Sequence, residues 1–217
     1  MLKQIKILWE NNTKRKKIII ASFIVTIMVL GGLGILFMKN PNIFIKPVLT
    51  LEPPAPIEVN DKNEFIVDVK LSSIPKNIYP AASISVGFDN NKLEFTGVKM
   101  GTMETYGDKI VDGNEFDIPM WDCDVSTSNK KGQINAIYLD MTAGKFAYNE
   151  EGFENNSKDT VLRLSFKLKD SAQKGDIYYL DIRDAVFATI NGDKDNSSLS
   201  VEKSTLKTSD CSIVVQK

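Results

Sequence analysis

Asp122 and Asp124 bracket Cys123, and this triplet is the densest group of chemically capable side chains in the sequence. Two carboxyls so close can act as an acid and base pair. The composition withholds the usual base, because the chain contains no histidine. Ser-His-Asp and Cys-His catalysis are excluded with it, as are zinc sites built on imidazole. Cys123 and Cys211 form no CxxC pair and are too few for a metal cage. Glycosidase chemistry needs two carboxyls at a set separation across a sugar cleft, and no cleft is marked here. The chain is therefore expected not to be an enzyme, with Asp122 and Asp124 as solvated charges on the outer face of a strand.

Two binding chemistries remain. Asn191-Gly192-Asp193-Lys194-Asp195-Asn196 sets oxygen ligands at alternate positions, as in a loop that wraps calcium, with Asp193 and Asp195 as the carboxylates. The downstream Glu of a complete EF-hand is missing, and a hydrophilic hairpin turn explains the same letters. No cofactor is expected, with calcium at this loop as the alternative. Trp121 could stack on a sugar ring with Tyr148, Tyr106 and Phe146 beside it, which makes polysaccharide a candidate ligand. Against that, strict alternation over Phe116 to Val125 puts Trp121 on one face with Cys123 and Val125, which favours a place in the core.

The elements that must position these groups are strands. Phe65, Val67, Val69 and Leu71 alternate with Glu64, Asp68 and Lys70, and Leu162, Leu164, Phe166 and Leu168 alternate with Arg163, Ser165 and Lys167. That period of two marks a sheet with one buried face. Further strands are predicted over Ala81 to Phe88, Leu93 to Met100, Phe116 to Val125, Gln133 to Met141, Ile177 to Ile182, Ala185 to Ile190 and Ser212 to Gln216. Asp89-Asn90-Asn91, Asn129-Lys130-Lys131-Gly132, Lys174-Gly175-Asp176 and Asn191-Gly192-Asp193 supply turns between them. Outside the amino-terminal segment, the one helix expected is a turn or two near Asn149 to Asn156. The fold class is all-β, an antiparallel jelly-roll β-sandwich.

A different physics governs the start of the chain. Ile18 to Met38 is an uncharged, mostly apolar run entered through Lys14, Arg15, Lys16 and Lys17. At about 1.5 Å per residue it spans a hydrocarbon core as one N-terminal transmembrane helix. A cleaved signal peptide competes, but the run exceeds an h-region and ends in Leu36-Phe37-Met38-Lys39 without a small-x-small cleavage pattern. Charge retention puts the basic segment 1–17 in the cytoplasm, 18–38 in the membrane, 39–47 as a short tether, and 48–217 outside the cell as one domain. Six of the 27 basic residues and one of the 28 acidic residues lie in the first seventeen, so the remainder is net acidic by about six charges. That balance excludes nucleic acid as a partner and leaves the helix as the attachment to the membrane.

Three strings resemble the cohesin domain, the module that receives dockerin domains in cellulosomes. They are Ile78-Tyr79-Pro80 through Leu93-Glu94-Phe95, then Gly132-Gln133-Ile134-Asn135-Ala136-Ile137-Tyr138-Leu139-Asp140, and last Asp184-Ala185-Val186-Phe187-Ala188. The likeness covers essentially all of the expected outer domain. It implies that dockerin helices lie across the sheet holding the first two strings, and that Cys123 and Cys211 sit toward opposite edges as separate thiols. Ala81 and Ser83 depart from the Asn and Asp common in type I members.

Alternation gives part of this pattern an independent reason. With Ala82, Ile84, Val86 and Phe88 in the core, Ala81, Ser83, Ser85 and Gly87 form a small, smooth outer strip. If the strands pair as the resemblance implies, Asn135, Ile137 and Leu139 lie beside it, opposite a buried set of Ile134, Ala136 and Tyr138. An exposed apolar pair on a flat sheet is a candidate docking surface. The expected partner-binding residues are Ala81, Ser83, Ser85, Asn135, Ile137 and Leu139, with Asp140 and Glu202 as a charged rim. The function expected is a membrane-anchored extracellular module that captures a dockerin-type partner linked to polysaccharide degradation. The alternatives are a carbohydrate-binding module and a structural cell-envelope subunit.

Overall fold

A computed structural model of the chain describes residues 46–216, apart from 106–109, 112–113, 116, 143 and 191–197. The apolar run at 18–38, its basic flank, most of the tether, Tyr106, Asp193 and Asp195 lie outside the described residues. Among those described, no helix is long and apolar enough to cross a membrane.

In chain order the elements are β1 (Val48–Glu52), β2 (Ile57–Glu58), β3 (Phe65–Leu71), β4 (Ala81–Gly87), β5 (Leu93–Met100), β6 (Ile110–Val111), β7 (Asn114–Glu115), α1 (Val125–Lys131), β8 (Gln133–Leu139), β9 (Thr160–Leu168), β10 (Ile177–Ala188), β11 (Leu199–Ser200), β12 (Lys207–Ser209) and β13 (Cys211–Gln216). Two sheets face each other. One runs β12-β1-β3-β9-β5 and the other β2-β13-β10-β4-β8, with β11 paired to β10. The all-β sandwich expected from the sequence is the fold observed. Pairing is antiparallel except where β12 lies parallel to β1 and β2 parallel to β13.

Alternation sets the core. Val67, Val69 and Leu71 from β3 meet Ile84 and Val86 from β4, all with exposure of 1% or less. Phe88, Phe95 and Phe166 pack with ring centroids 5.5 to 6.3 Å apart, which fixes the stacking of the two sheets at one end. At the other end Trp121, Tyr138 and Tyr148 form a second aromatic cluster, with Tyr138 and Tyr148 centroids at 4.9 Å.

Four expectations are corrected. Phe116 to Val125 is no strand: the chain runs irregularly from Asp117, makes one bridge between Asp122 and Ile137, and turns into α1. Asp124 caps that helix by accepting from the Thr127 amide at 2.8 Å, and Gly132 closes it at φ 63° in the left-handed region. Its sequence, VSTSNKK, has poor helical propensity, so the caps and the packing of α1 on β5 and β8 decide the outcome. Asn149 to Asn156 forms turns, with Asn156 at φ 65° breaking any helix. The strands expected at Ile177 to Ile182 and Ala185 to Ile190 are one strand, β10, bent by a bulge between Ile182 and Asp184. Finally, β1 was not expected, because Pro47 and Pro53 bound it closely on both sides.

Among the described residues, the two long edge strands, β5 and β8, are each covered at one point. On β5, the Asn129 side-chain oxygen accepts from the Phe95 amide at 2.9 Å and its amide donates to the Phe95 carbonyl at 2.7 Å. One side chain of α1 therefore takes the place of a neighbouring strand. On β8, Ile137 exchanges both backbone bonds with Asp122 at 2.9 Å. The other described edge strands, β2, β6, β7, β11 and β12, are two or three residues long. Short or partly covered edges offer little open backbone for another chain to pair with.

Asn129→Ala strips the β5 edge of both bonds and should lower unfolding free energy by about 2 kcal/mol. Urea unfolding followed by circular dichroism checks the figure; a loss below about 0.5 kcal/mol would deny Asn129 this role.

Candidate functional site

The outer face of the β10-β4-β8 sheet carries the candidate site. Register places Ser83 between Ile137 on β8 and Val186 on β10, and Ala81 between Leu139 and Ala188. Their inward neighbours Ala82, Ile84, Ile134, Ala136 and Tyr138 are all buried. Ile137 and Leu139 are 56% and 52% exposed, on a floor of Ala81, Ser83 and Ala188 that rises little above the backbone. Ser85 and Asn135 continue the face toward its other end, where both accept from the Gln133 side-chain amide, at 2.9 and 3.1 Å. Of the expected contact residues, Ala81, Ser83, Ser85, Asn135, Ile137 and Leu139 are thus brought together on one surface.

The rim is not as expected. Asp140 is 6% exposed and faces inward, accepting from the Thr142 and Phe146 amides at 2.8 and 2.9 Å and from the Thr142 hydroxyl. It closes the turn after β8 and is no partner contact, because a carboxylate that satisfies three local donors is worth more there than in water. Glu202 is exposed in the turn after β11, whose Ser200 lies across from Val186.

Sequence reasoning missed the residues that widen the apolar strip. Met120 is 64% exposed and Met141 is 81% exposed. With Asp122 opposite Ile137, antiparallel register sets Met120 beside Leu139, and the Trp121–Tyr138 ring contact at 5.8 Å confirms that alignment. The signal was present in the spacing of Met120 and Met141 around a strand end, but the false strand over Phe116 to Val125 hid it.

The sugar platform is overturned. Trp121 is 4% exposed and Tyr148 and Phe146 are buried, with Trp121 Nε1 donating to the Tyr148 hydroxyl at 2.8 Å. Burial pushes the Tyr138 phenol up to about 12 and raises Tyr148 as well. These rings form the solid layer beneath Ile137 and Leu139, since Tyr138 lies between them on the inward side.

Nor do Asp122, Cys123 and Asp124 act as a unit. Asp122 accepts from the Cys123 amide at 2.8 Å, while Asp124 is spent on the helix cap, where the Thr127 amide and hydroxyl hold its carboxyl below the usual range. Burial, reinforced by Asp122 and Asp124, pushes the Cys123 thiol up to about 11. Burial and Asp210 do the same for Cys211. Both thiols are free, one ahead of α1 and the other opening β13. Among the described residues no group of acids and thiols is arranged to hold a metal ion.

This geometry has counterparts among solved structures. The sixth cohesin of scaffoldin B from Acetivibrio cellulolyticus, solved in complex with a dockerin, is 19% identical, with a TM-score of 0.52 over 79% of this chain and 99% of that one. The third cohesin ScaC of the same organism, in complex with the ScaB dockerin, is 15% identical, with a TM-score of 0.54 over 79% and 99%. The seventh ScaB type I cohesin of Pseudobacteroides cellulosolvens is 17% identical, with a TM-score of 0.51 over 78% and 92%. The described domain is a cohesin-like sandwich. No protein-family model matches the chain, and no curated protein matches it. At this identity the likeness rests on the fold, and the cohesin-like face has its own side chains.

Thiols held near 11 present little thiolate at neutral pH. Iodoacetamide at pH 7.5 should label Cys123 and Cys211 at least about tenfold more slowly in the native chain than in urea, read by mass spectrometry. Equal rates would show that neither is sheltered.

Proposed function

We propose that this domain is a receptor that does no chemistry and captures a dockerin-type protein on the outer face of β4, β8 and β10. The observation that carries the reading is the exposed Ile137 and Leu139 pair on its floor of small residues, over a rigid aromatic layer. A partner helix can approach such a floor closely, and burying the apolar strip supplies affinity without a pocket. Two of the similar solved cohesins are held in complexes with dockerins, which supports a partner of that kind.

We further propose that the apolar run at 18–38 anchors the chain in the cell membrane, with the amino terminus in the cytoplasm and this domain outside. Its length and the basic residues before it support that arrangement. A tether of this length holds the domain within about 30 Å of the bilayer, so the partner must come to the cell surface. A captured enzyme of polysaccharide breakdown fits that setting.

Purified dockerin domains of several types, tested one by one against the full chain by calorimetry, check the receptor reading. At least one should bind, and Leu139→Asp or Ile137→Asp should each weaken it by about 2 kcal/mol or more, roughly thirtyfold. Binding by none of them, or binding indifferent to both substitutions, would overturn it. Anchoring is checked separately: the chain should stay with membranes through an alkaline carbonate wash, and release into the wash would remove the membrane helix.

A further inference from the structure

The polar end of the same face holds a side chain that the receptor reading leaves unused. Arg183 is the extra residue of the β10 bulge, the point where register with β4 shifts between Ile182 and Asp184. A bulge re-aims the side chain it carries. Here it turns Arg183 across Gly87 of β4 toward β8, and a Cβ on Gly87 would overlap the guanidinium and the Asp181 carboxylate. The guanidinium lies on that bare backbone. Its Nε donates to Asp181 Oδ2 at 3.0 Å and its Nη1 to Gln133 Oε1 at 3.0 Å. The Gln133 amide is pinned in turn by Ser85 and Asn135. Nη2 makes no hydrogen bond among the described residues, and the side chain is 45% exposed.

A long side chain normally loses rotamer freedom when it binds, and Arg183 has lost it already. An arginine fixed through Nε and Nη1, with Nη2 left unpaired among the described residues, is a seat for an oxygen atom. Charge decides which kind. Asp181 already pairs with the guanidinium and the exposed Asp184 follows it in the chain, so segment 181–184 is net negative and disfavours a carboxylate. An uncharged acceptor is favoured, and the last carbonyls of a helix are acceptors without partners that carry a partial negative charge. Gly87 stands four residues along β4 from Ser83, roughly 13 Å, a distance that about nine helical residues cover.

We infer that Arg183 is a specificity-determining residue of the receptor face: it receives the C-terminal carbonyls of a partner helix whose apolar side rests on Ile137 and Leu139. This rests on the receptor reading above. Gly87 is its positioning residue, needed because any side chain there unseats the guanidinium.

The test uses the full chain and the dockerin domain that it binds most tightly, measured by calorimetry. Arg183→Ala and Arg183→Lys should each weaken binding roughly ten- to hundredfold, since lysine keeps the charge and loses the fork. Gly87→Ala should match Arg183→Ala, and adding it to Arg183→Ala should cost nothing more. The loss should be nearly the same at about 0.05 and about 0.5 M salt, because a carbonyl contact is screened little. A loss that vanishes at high salt would make the acceptor a carboxylate and overturn the assignment. Unchanged affinity in Arg183→Ala, with Leu139→Asp still destructive, would overturn it and leave the receptor reading standing. Additive losses from Gly87→Ala would make that residue a backbone requirement and break the link to Arg183. If no dockerin binds, both readings fall together.

Discussion

Register between β4 and β8 is the constraint on which the rest depends. Because side chains alternate with a period of two, pairing Ser83 with Ile137 and Ile84 with Ala136 decides at one stroke what is core and what is surface. A slip of β8 by one residue would drive Ile134 and Tyr138 into water and turn Asn135 inward. The inward set therefore enforces the outward one. The apolar strip is exposed because Ile84, Val86, Ile134 and Tyr138 of the same two strands hold the buried face. Tyr138 makes the link concrete, since its hydroxyl donates to the Phe146 carbonyl at 2.5 Å and ties the strand to the turn that Asp140 closes.

Much of this was legible in the chain. The bounds of β3 and β5, the placement of β4, β8 and β9, and the two halves of β4 followed from alternation, while the outward half of β8 also drew on the pairing that the resemblance implies. The β-sandwich followed from the spacing of turns. What alternation cannot see is a side chain that substitutes for backbone. Asp124 capping α1, Asn129 closing β5 and Asp140 knotting the turn after β8 are all polar residues that read as surface. Asp124 was assigned to solvent, Asn129 to a turn and Asp140 to a partner, and each is satisfied within the chain. The error over Phe116 to Val125 has the same origin: framing by Asp124 and Gly132, with Lys130 and Lys131 in the last turn, outweighs a weak intrinsic preference for helix.

The candidate site divided along the same line. Its apolar residues were found because they violate the expectation that exposed strand positions are polar. Met120 was missed because the strand expected over Phe116 to Val125 is not there, and Met141 because it lies beyond the observed end of β8. Arg183 was missed for a sharper reason. A bulge adds one residue to one strand, and sequence shows two short strands where the structure has one long strand with a redirected side chain. The aromatic residues went the other way. A ring that looks like a sugar platform in sequence becomes a girder when its Nε1 finds a phenol indoors.

Guarded edges have a consequence for how such a molecule lives in company. Sheet proteins held at high local density tend to zip into one another through open backbone, strand against strand. Here the Asn129 amide plugs one flank and the Asp122 bridge fastens another, so neighbouring copies meet without a template for fusion. Many copies could stand shoulder to shoulder in a crowd and each keep its own fold.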